Sequence, residues 1–99
     1  MATDWENMKG IAQKDLEALS RAETSYGDSW RRRGGVGAFM MLARKWDRIE
    51  NQVKARQYDV FGAIEADRRA DGIMDDIQDL RRYLMLVEEH MSTDLSETS

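Results

Sequence analysis

Residues 39–53, FMMLARKWDRIENQV, decide the fold. Apolar side chains recur in this stretch at steps of three and four residues: Phe39, Leu42, Trp46, Ile49 and Val53. Because an α-helix turns once in 3.6 residues, this spacing places them on one face and predicts a helix, from about Val36 to about Arg56, with a buried stripe. Met40 and Met41 widen the stripe, which suggests that another helix or subunit covers a second side.

The same spacing recurs on either side of this stretch. The earlier apolar series is Trp5, Met8, Ala12, Leu16 and Leu19, and the later one is Ile73, Ile77, Leu80, Leu84, Val87 and Met91. The first predicts a helix from a Thr3 N-cap, with Glu6 completing a capping box, to about Ser25. The second predicts a helix over 71–91. Asp59 is a candidate cap for a short helix over 60–64.

Length and composition favour one all-α domain. The chain has 99 residues, no cysteine and no proline, so disulfides and cysteine chemistry are excluded and long helices are favoured. We predict a single domain over 1–91, a small bundle of three main helices, and a disordered tail over 92–99. A chain this short buries a limited core, so we expect oligomerisation to complete the bundle.

The apolar runs are too short for a membrane span, and the first ten residues, MATDWENMKG, do not resemble a signal peptide. We therefore expect a cytoplasmic protein with no membrane partner.

The charges are unevenly distributed. Residues 21–58 carry nine Lys and Arg against four acids, whereas residues 59–99 carry four Arg against eleven acids, and the net charge is −4. A basic segment in an acidic chain suits a small anionic ligand better than a stable nucleic-acid complex. The alternative is that the two halves neutralise each other across a helix pair.

Residues 25–37, SYGDSWRRRGGVG, form the first candidate site. The three arginines, Arg31, Arg32 and Arg33, are suited to phosphate, and the aromatic rings of Tyr26 and Trp30 are suited to stacking on a base. A helix that begins beside these glycines would also point its N-terminus at an anion. The stretch is not a Walker or Rossmann fingerprint. The alternative is a solvated loop whose arginines pair with acids of the last helix and whose Trp30 lies in the core.

Two further groups could carry chemistry. Lys45 and Arg48 share a helix side next to Trp46, and could hold a phosphate beside a stacked ring. Asp76 and Asp79, at i and i+3, could hold Mg²⁺ through oxygen ligands. The alternative for both groups is an ion pair with each other. His90 stands alone near the end of the predicted last helix, which favours a protonated, helix-stabilising histidine over a catalytic one.

Three short stretches carry a resemblance: 25–30 (SYGDSW), 45–49 (KWDRI) and 75–83 (DDIQDLRRY). Across about residues 25–85 the chain resembles the nucleotide-modification-associated domain family, small helical proteins common in phages. It also looks distantly like the all-α nucleoside triphosphate pyrophosphatases of the MazG type. Those enzymes bind Mg²⁺ through two acidic pairs on facing helices.

Asp76 and Asp79 match the second acidic pair of the MazG-type pattern, but Lys45 and Arg48 stand where the first pair would be. The resemblance therefore implies a nucleotide pocket whose hydrolytic centre has been lost.

The hypothesis that follows is a non-catalytic phage counter-defence sponge, which sequesters a nucleotide immune signal of the cyclic oligonucleotide or cyclic ADP-ribose type. One alternative is an enzyme of nucleotide metabolism or base modification with Mg²⁺ on Asp76 and Asp79. Another is a helical module that binds a protein through the Met40 and Met41 face.

Overall fold

The computed structural model describes residues 2–69 and 72–98 and contains only helices and their connections in those ranges. The main helices are α1 (Trp5–Tyr26), α2 (Gly34–Lys54) and α4 (Ile73–Thr98), and α3 (Val60–Ala66) is short. A 3₁₀ turn, Ser29–Arg31, joins α1 to α2. The predicted all-α class is therefore confirmed. None of the described helices is both long enough and apolar enough to cross a membrane.

Local hydrogen bonds and glycines set the ends of α1 and α2. Asp4, rather than the predicted Thr3, caps α1, because its Oδ1 accepts the backbone N–H of Asn7 at 3.0 Å. At the other end Gly27 adopts φ 62°, a conformation in which side chains are strained, and stops α1. Gly34, at φ 72°, starts α2 two residues before the predicted Val36.

Aspartates position the two later helices. Asp59 caps α3 as predicted, with Oδ1 3.2 Å from the N–H of Gly62. Asp67 Oδ2 accepts the N–H of Ile73 at 2.7 Å and so anchors the start of α4. The side chain of Arg69 and the backbone N–H groups of Ile73 and Arg69 donate hydrogen bonds to Asp67 and hold its pKa well below its usual range. A Cβ on Gly72 would collide with this carboxylate.

The structure extends α4 to Thr98, where we predicted a disordered tail over 92–99. No glycine or proline lies between residues 73 and 99, so no residue there breaks the helix. Ser99 lies outside the described residues, as does Asp71, where we predicted this helix to begin.

The core lies where α2, α3 and the start of α4 meet. Its buried apolar side chains are Ile49, Val53, Ala63 and Ile73, with Val60, Ile64, Ile77 and Leu80 packed against them. Lys45 reaches Asp79 and Arg48 reaches Asp76, so α2 and α4 run antiparallel.

The predicted stripe on α2 is only partly buried. Ile49 and Val53 face the core, but Phe39 is 63% exposed and Trp46 is 54% exposed. The side of α2 that carries Lys45 and Arg48 faces α4, and this rotation turns Phe39 and Trp46 towards solvent.

Replacement of Ile73 should test this core. Ile73 is 2% exposed, so Ile73→Ala should lower the free energy of unfolding by about 3 kcal/mol through lost burial and a cavity. Its neighbour Met74 is half exposed, and Met74→Ala is the matched control with an expected loss below about 1 kcal/mol. Urea denaturation followed by circular dichroism measures both. An equal loss in the two variants would contradict this location of the core.

Candidate functional site

A buried carboxylate ties α1 to α4. Asp15 is 1% exposed and accepts hydrogen bonds from Arg81 Nε at 2.6 Å, Arg81 Nη2 at 2.8 Å and Arg82 Nε at 2.8 Å. The bond from Arg81 lowers the pKa of Asp15 against the opposing effect of burial, and Asp15 in turn raises the pKa of Arg81. We call this group the Asp15 clamp.

Beyond the clamp, α1 and the α2–α4 pair stand apart and enclose a cleft of about 710 Å³. The second half of α1, the 3₁₀ turn, the start of α2 and the middle of α4 line it. Its apolar walls include Leu16, Leu19, Met41 and Leu86. Its aromatic and cationic side chains are Tyr26, Trp30, Tyr83, Arg31, Arg33 and Arg82.

The cleft brings together half of the predicted ligand-binding residues: Tyr26, Trp30, Arg31 and Arg33. Arg32 is exposed and does not line it. Lys45, Trp46 and Arg48 do not line it either. The indole N–H of Trp46 instead donates to Glu50 on its own helix at 3.2 Å.

Trp30 and Arg31 are held in place at the cleft wall. The ring of His90 meets Trp30 edge-on, with centroids 6.0 Å apart, and the Arg31 guanidinium lies 5.9 Å from the Trp30 centroid. Arg31 also pairs with Asp28 at 3.2 Å and donates to His90 Nδ1 at 2.9 Å. A guanidinium only donates, so His90 Nδ1 accepts this hydrogen bond. His90 lies within α4, which continues to Thr98, and not near the helix end where we predicted it.

Arg33 is different, because its side chain makes no ion pair or hydrogen bond within the part of the chain that the structure describes. It precedes α2, whose first turn has no side-chain cap. A Cβ on Gly37 would lie 2.7 Å from Arg33 Cβ, so this glycine makes room for the arginine stem. The space beside Gly34 and Gly35 is open. An anion could therefore meet Arg33 and the free N–H groups of α2 together.

Lys45 and Arg48 of α2 form ion pairs with α4, which was our alternative to a phosphate site at these residues. Lys45 Nζ lies 2.8 Å from Asp79 Oδ2 and 3.6 Å from Asp76 Oδ1, and Arg48 Nε lies 2.8 Å from Asp76 Oδ1. The hydrogen bond to Asp79 raises the pKa of Lys45, although burial opposes the rise. Lys45 and Arg48 therefore join α2 to α4.

These contacts bear on the predicted Mg²⁺ site. Among the described residues, no third carboxylate, histidine or cysteine joins Asp76 and Asp79 in a group that could hold a metal ion. A cation bound to both carboxylates would displace Lys45 Nζ, which lies between them. Asp76 Oδ2 is buried and accepts no hydrogen bond from the described side chains.

Sequence reasoning missed Asp15, Arg82 and Tyr83. A signal for Asp15 was present, because it lies on the apolar face that Ala12 and Leu19 define. A charged residue on such a face requires a buried partner. Arg82 and Tyr83 carried no comparable signal, since they flank apolar positions of α4 like many exposed residues.

Comparison of the chain with models of known protein families, with curated protein sequences and with solved structures finds no match.

The Asp15 clamp predicts a pH-dependent stability. Asp15→Asn should lower the free energy of unfolding by about 3 kcal/mol at neutral pH. This value is at the low end of the loss expected for a broken buried ion pair, because the two arginines are partly exposed. The native pKa of Asp15 is depressed, so this contribution is complete well above about pH 3.9 and is lost as pH falls below that value.

Urea unfolding of wild type and Asp15→Asn between pH 8 and pH 3 measures the difference. It should stay constant down to about pH 5 and then shrink. Glu17→Gln, at an exposed position of α1, is the control and should differ little from wild type. A difference that grows as pH falls would refute the clamp.

Proposed function

We propose that this protein binds a small nucleotide-like anion in the cleft between α1 and the α2–α4 pair and does not convert it. One observation carries the proposal. Tyr26, Trp30, Arg31 and Arg33, four of the residues that the sequence marks for nucleotide binding, line a single cavity at the uncapped start of α2.

The size and chemistry of the cleft suit such a ligand. Its volume of about 710 Å³ lies within the range of small-molecule sites, roughly 300–1,000 Å³. Arg33 and the first N–H groups of α2 would hold a phosphate. Tyr26 is 72% exposed and lines the cleft, so its ring is accessible for stacking on a base.

The acidic side chains of the cleft differ in how strongly they would repel a bound anion. Asp28 is paired with Arg31 and Asp79 with Lys45, so both are locally neutralised. Glu23 and Glu89 also line the cleft, and Glu23 could accept hydrogen bonds from the N–H groups of a base or the hydroxyls of a ribose. This mixed lining favours a nucleoside unit with few phosphates over a nucleic-acid strand, which requires a broad basic surface.

The ion pairs of α2 favour binding over turnover. Hydrolysis of a phosphoanhydride by Mg²⁺ would need carboxylates free to hold the metal. Here Lys45 and Arg48 engage the two candidate ligands, Asp76 and Asp79. A ligand held in the cleft would accordingly be released intact.

The family resemblance supplies the biological part of the proposal. A small phage protein that binds a cyclic oligonucleotide or a cyclic ADP-ribose signal, in the cytoplasm of an infected cell, would keep that signal from its host receptor. Stoichiometric capture without turnover is the behaviour that this role requires.

A thermal-shift screen tests the proposal with cyclic dinucleotides, cyclic trinucleotides, cyclic ADP-ribose isomers and ADP, with and without Mg²⁺. A ligand at about a hundred times its dissociation constant should add roughly 2.7 kcal/mol of stability, or several degrees in Tm. The ligand should be recovered unchanged. No shift with any nucleotide would refute the proposal, and a shift with consumption of the ligand would favour the enzyme.

Two arginine variants locate the site. Arg33→Ala should weaken the binding of the best ligand about tenfold or more in calorimetry, since a charged hydrogen-bonding group is lost. Its Tm without ligand should be unchanged, because Arg33 has no partner among the described residues. Arg32→Ala, in the same loop but outside the cleft lining, is the matched control. Equal losses in both variants would indicate a diffuse charge effect rather than this cleft.

A further inference from the structure

The chain exposes more surface than a folded monomer of its mass. Its accessible surface is 7935 Å², whereas a monomeric protein of 11.5 kDa exposes about 5,800 Å². The surplus is about 2,100 Å². Subunits of obligate dimers each bury roughly 1,000–2,500 Å², so the surplus matches what a permanent partner would cover.

Part of the surplus lies on the first half of α1. Trp5 and Met8 are exposed, with Trp5 at 65%. Their positions fall on the same face of the helix as Asp15 and Leu19, which turn towards α4 and the cleft. The packing face of α1 therefore continues towards its N-terminus with no element of the described chain against it.

A second uncovered face lies at the start of α2. Val36, Phe39 and Met40, at i, i+3 and i+4, are all more than half exposed. Val36 and Met40 lie on a different side of α2 from Ile49 and Val53, and Phe39 lies between the two sides. The apolar surface of α2 therefore extends beyond the part that is covered. Met41, the neighbour of Met40, instead lines the cleft.

We propose that a second copy of this chain packs against the apolar face at the start of α1 (Trp5, Met8) and the outer face of α2 (Val36, Phe39, Met40). Within the described residues only four apolar side chains are buried, too few to sustain a fold of this length alone. If the fold depends on a partner, that partner must be present wherever the chain is synthesised. A second copy of the chain is always present there. The copy also supplies helices with the same uncovered faces, as a symmetric contact requires.

Sedimentation velocity and light scattering of the full chain test this proposal. The expected mass is at least twice 11.5 kDa at micromolar concentration. Met8→Glu and Phe39→Glu should each raise the dissociation constant at least about thirtyfold, as expected when a charge replaces a buried anchor. Lys14→Gln changes net charge by the same amount on another side of α1 and should assemble like wild type.

Circular dichroism of each variant at high concentration establishes that it still folds. A wild-type chain that is monomeric and fully helical at micromolar concentration would overturn the proposal. If Met8→Glu and Phe39→Glu both assembled with the dissociation constant of the wild type, the proposal would be overturned as well, since the copies would then meet on other surfaces. If the chain were monomeric and bound a different protein through these faces, the proposal of a second copy would be overturned in favour of that protein.

Discussion

The position of α1 depends on one buried carboxylate. Asp15 lies on an otherwise apolar helix face and is buried against Arg81 and Arg82 of α4. An ionised group in this place is stable only while both guanidinium groups stay against it, so the contact fixes where α1 crosses α4. Apolar packing between the two helices is otherwise sparse. The cleft exists because a polar clamp holds α1 in place without a packed interface along its length.

The cationic side chains on α2 and just before it fall into two groups, those that form ion pairs with α4 and one that does not. Lys45 and Arg48 pair with Asp76 and Asp79 and hold the helix pair together, whereas Arg33 enters the cleft without a partner among the described residues. A free cation at an uncapped helix start is poised for an anion, and a cation already paired inside a helix interface serves the fold. This distinction separates the candidate binding residue Arg33 from the cations that join helices within the basic segment of the chain.

Apolar spacing predicted the main helices, and the residue type of Asp59 predicted the α3 cap, because these features depend on local sequence. The predicted loop over 25–37 is shorter in the structure, since Gly34, Gly35 and Gly37 belong to α2. Apolar spacing did not predict which side of α2 faces α4. Five apolar positions define a stripe, but the ion pairs of Lys45 and Arg48 turn the helix so that Phe39 and Trp46 face outward. The Asp15 clamp and the place of Arg82 in the cleft depend on contacts across more than sixty residues of sequence, which periodicity does not report. The loop residues that meet in the cleft were recognised because they are close in sequence.

Hydrogen exchange by mass spectrometry, on wild type and Asp15→Asn, is the most direct test of the claim that a single clamp holds α1 over the cleft. We expect a graded effect: amides of residues 5–26 exchange close to the rate of an unprotected chain in the variant, while those of 45–53 and 73–82 keep measurable protection that is reduced only by the lower global stability, because the core at Ile49, Val53 and Ile73 is separate from the clamp. Unchanged protection of α1, or complete loss of protection in all helices together, would contradict a single clamp that holds α1.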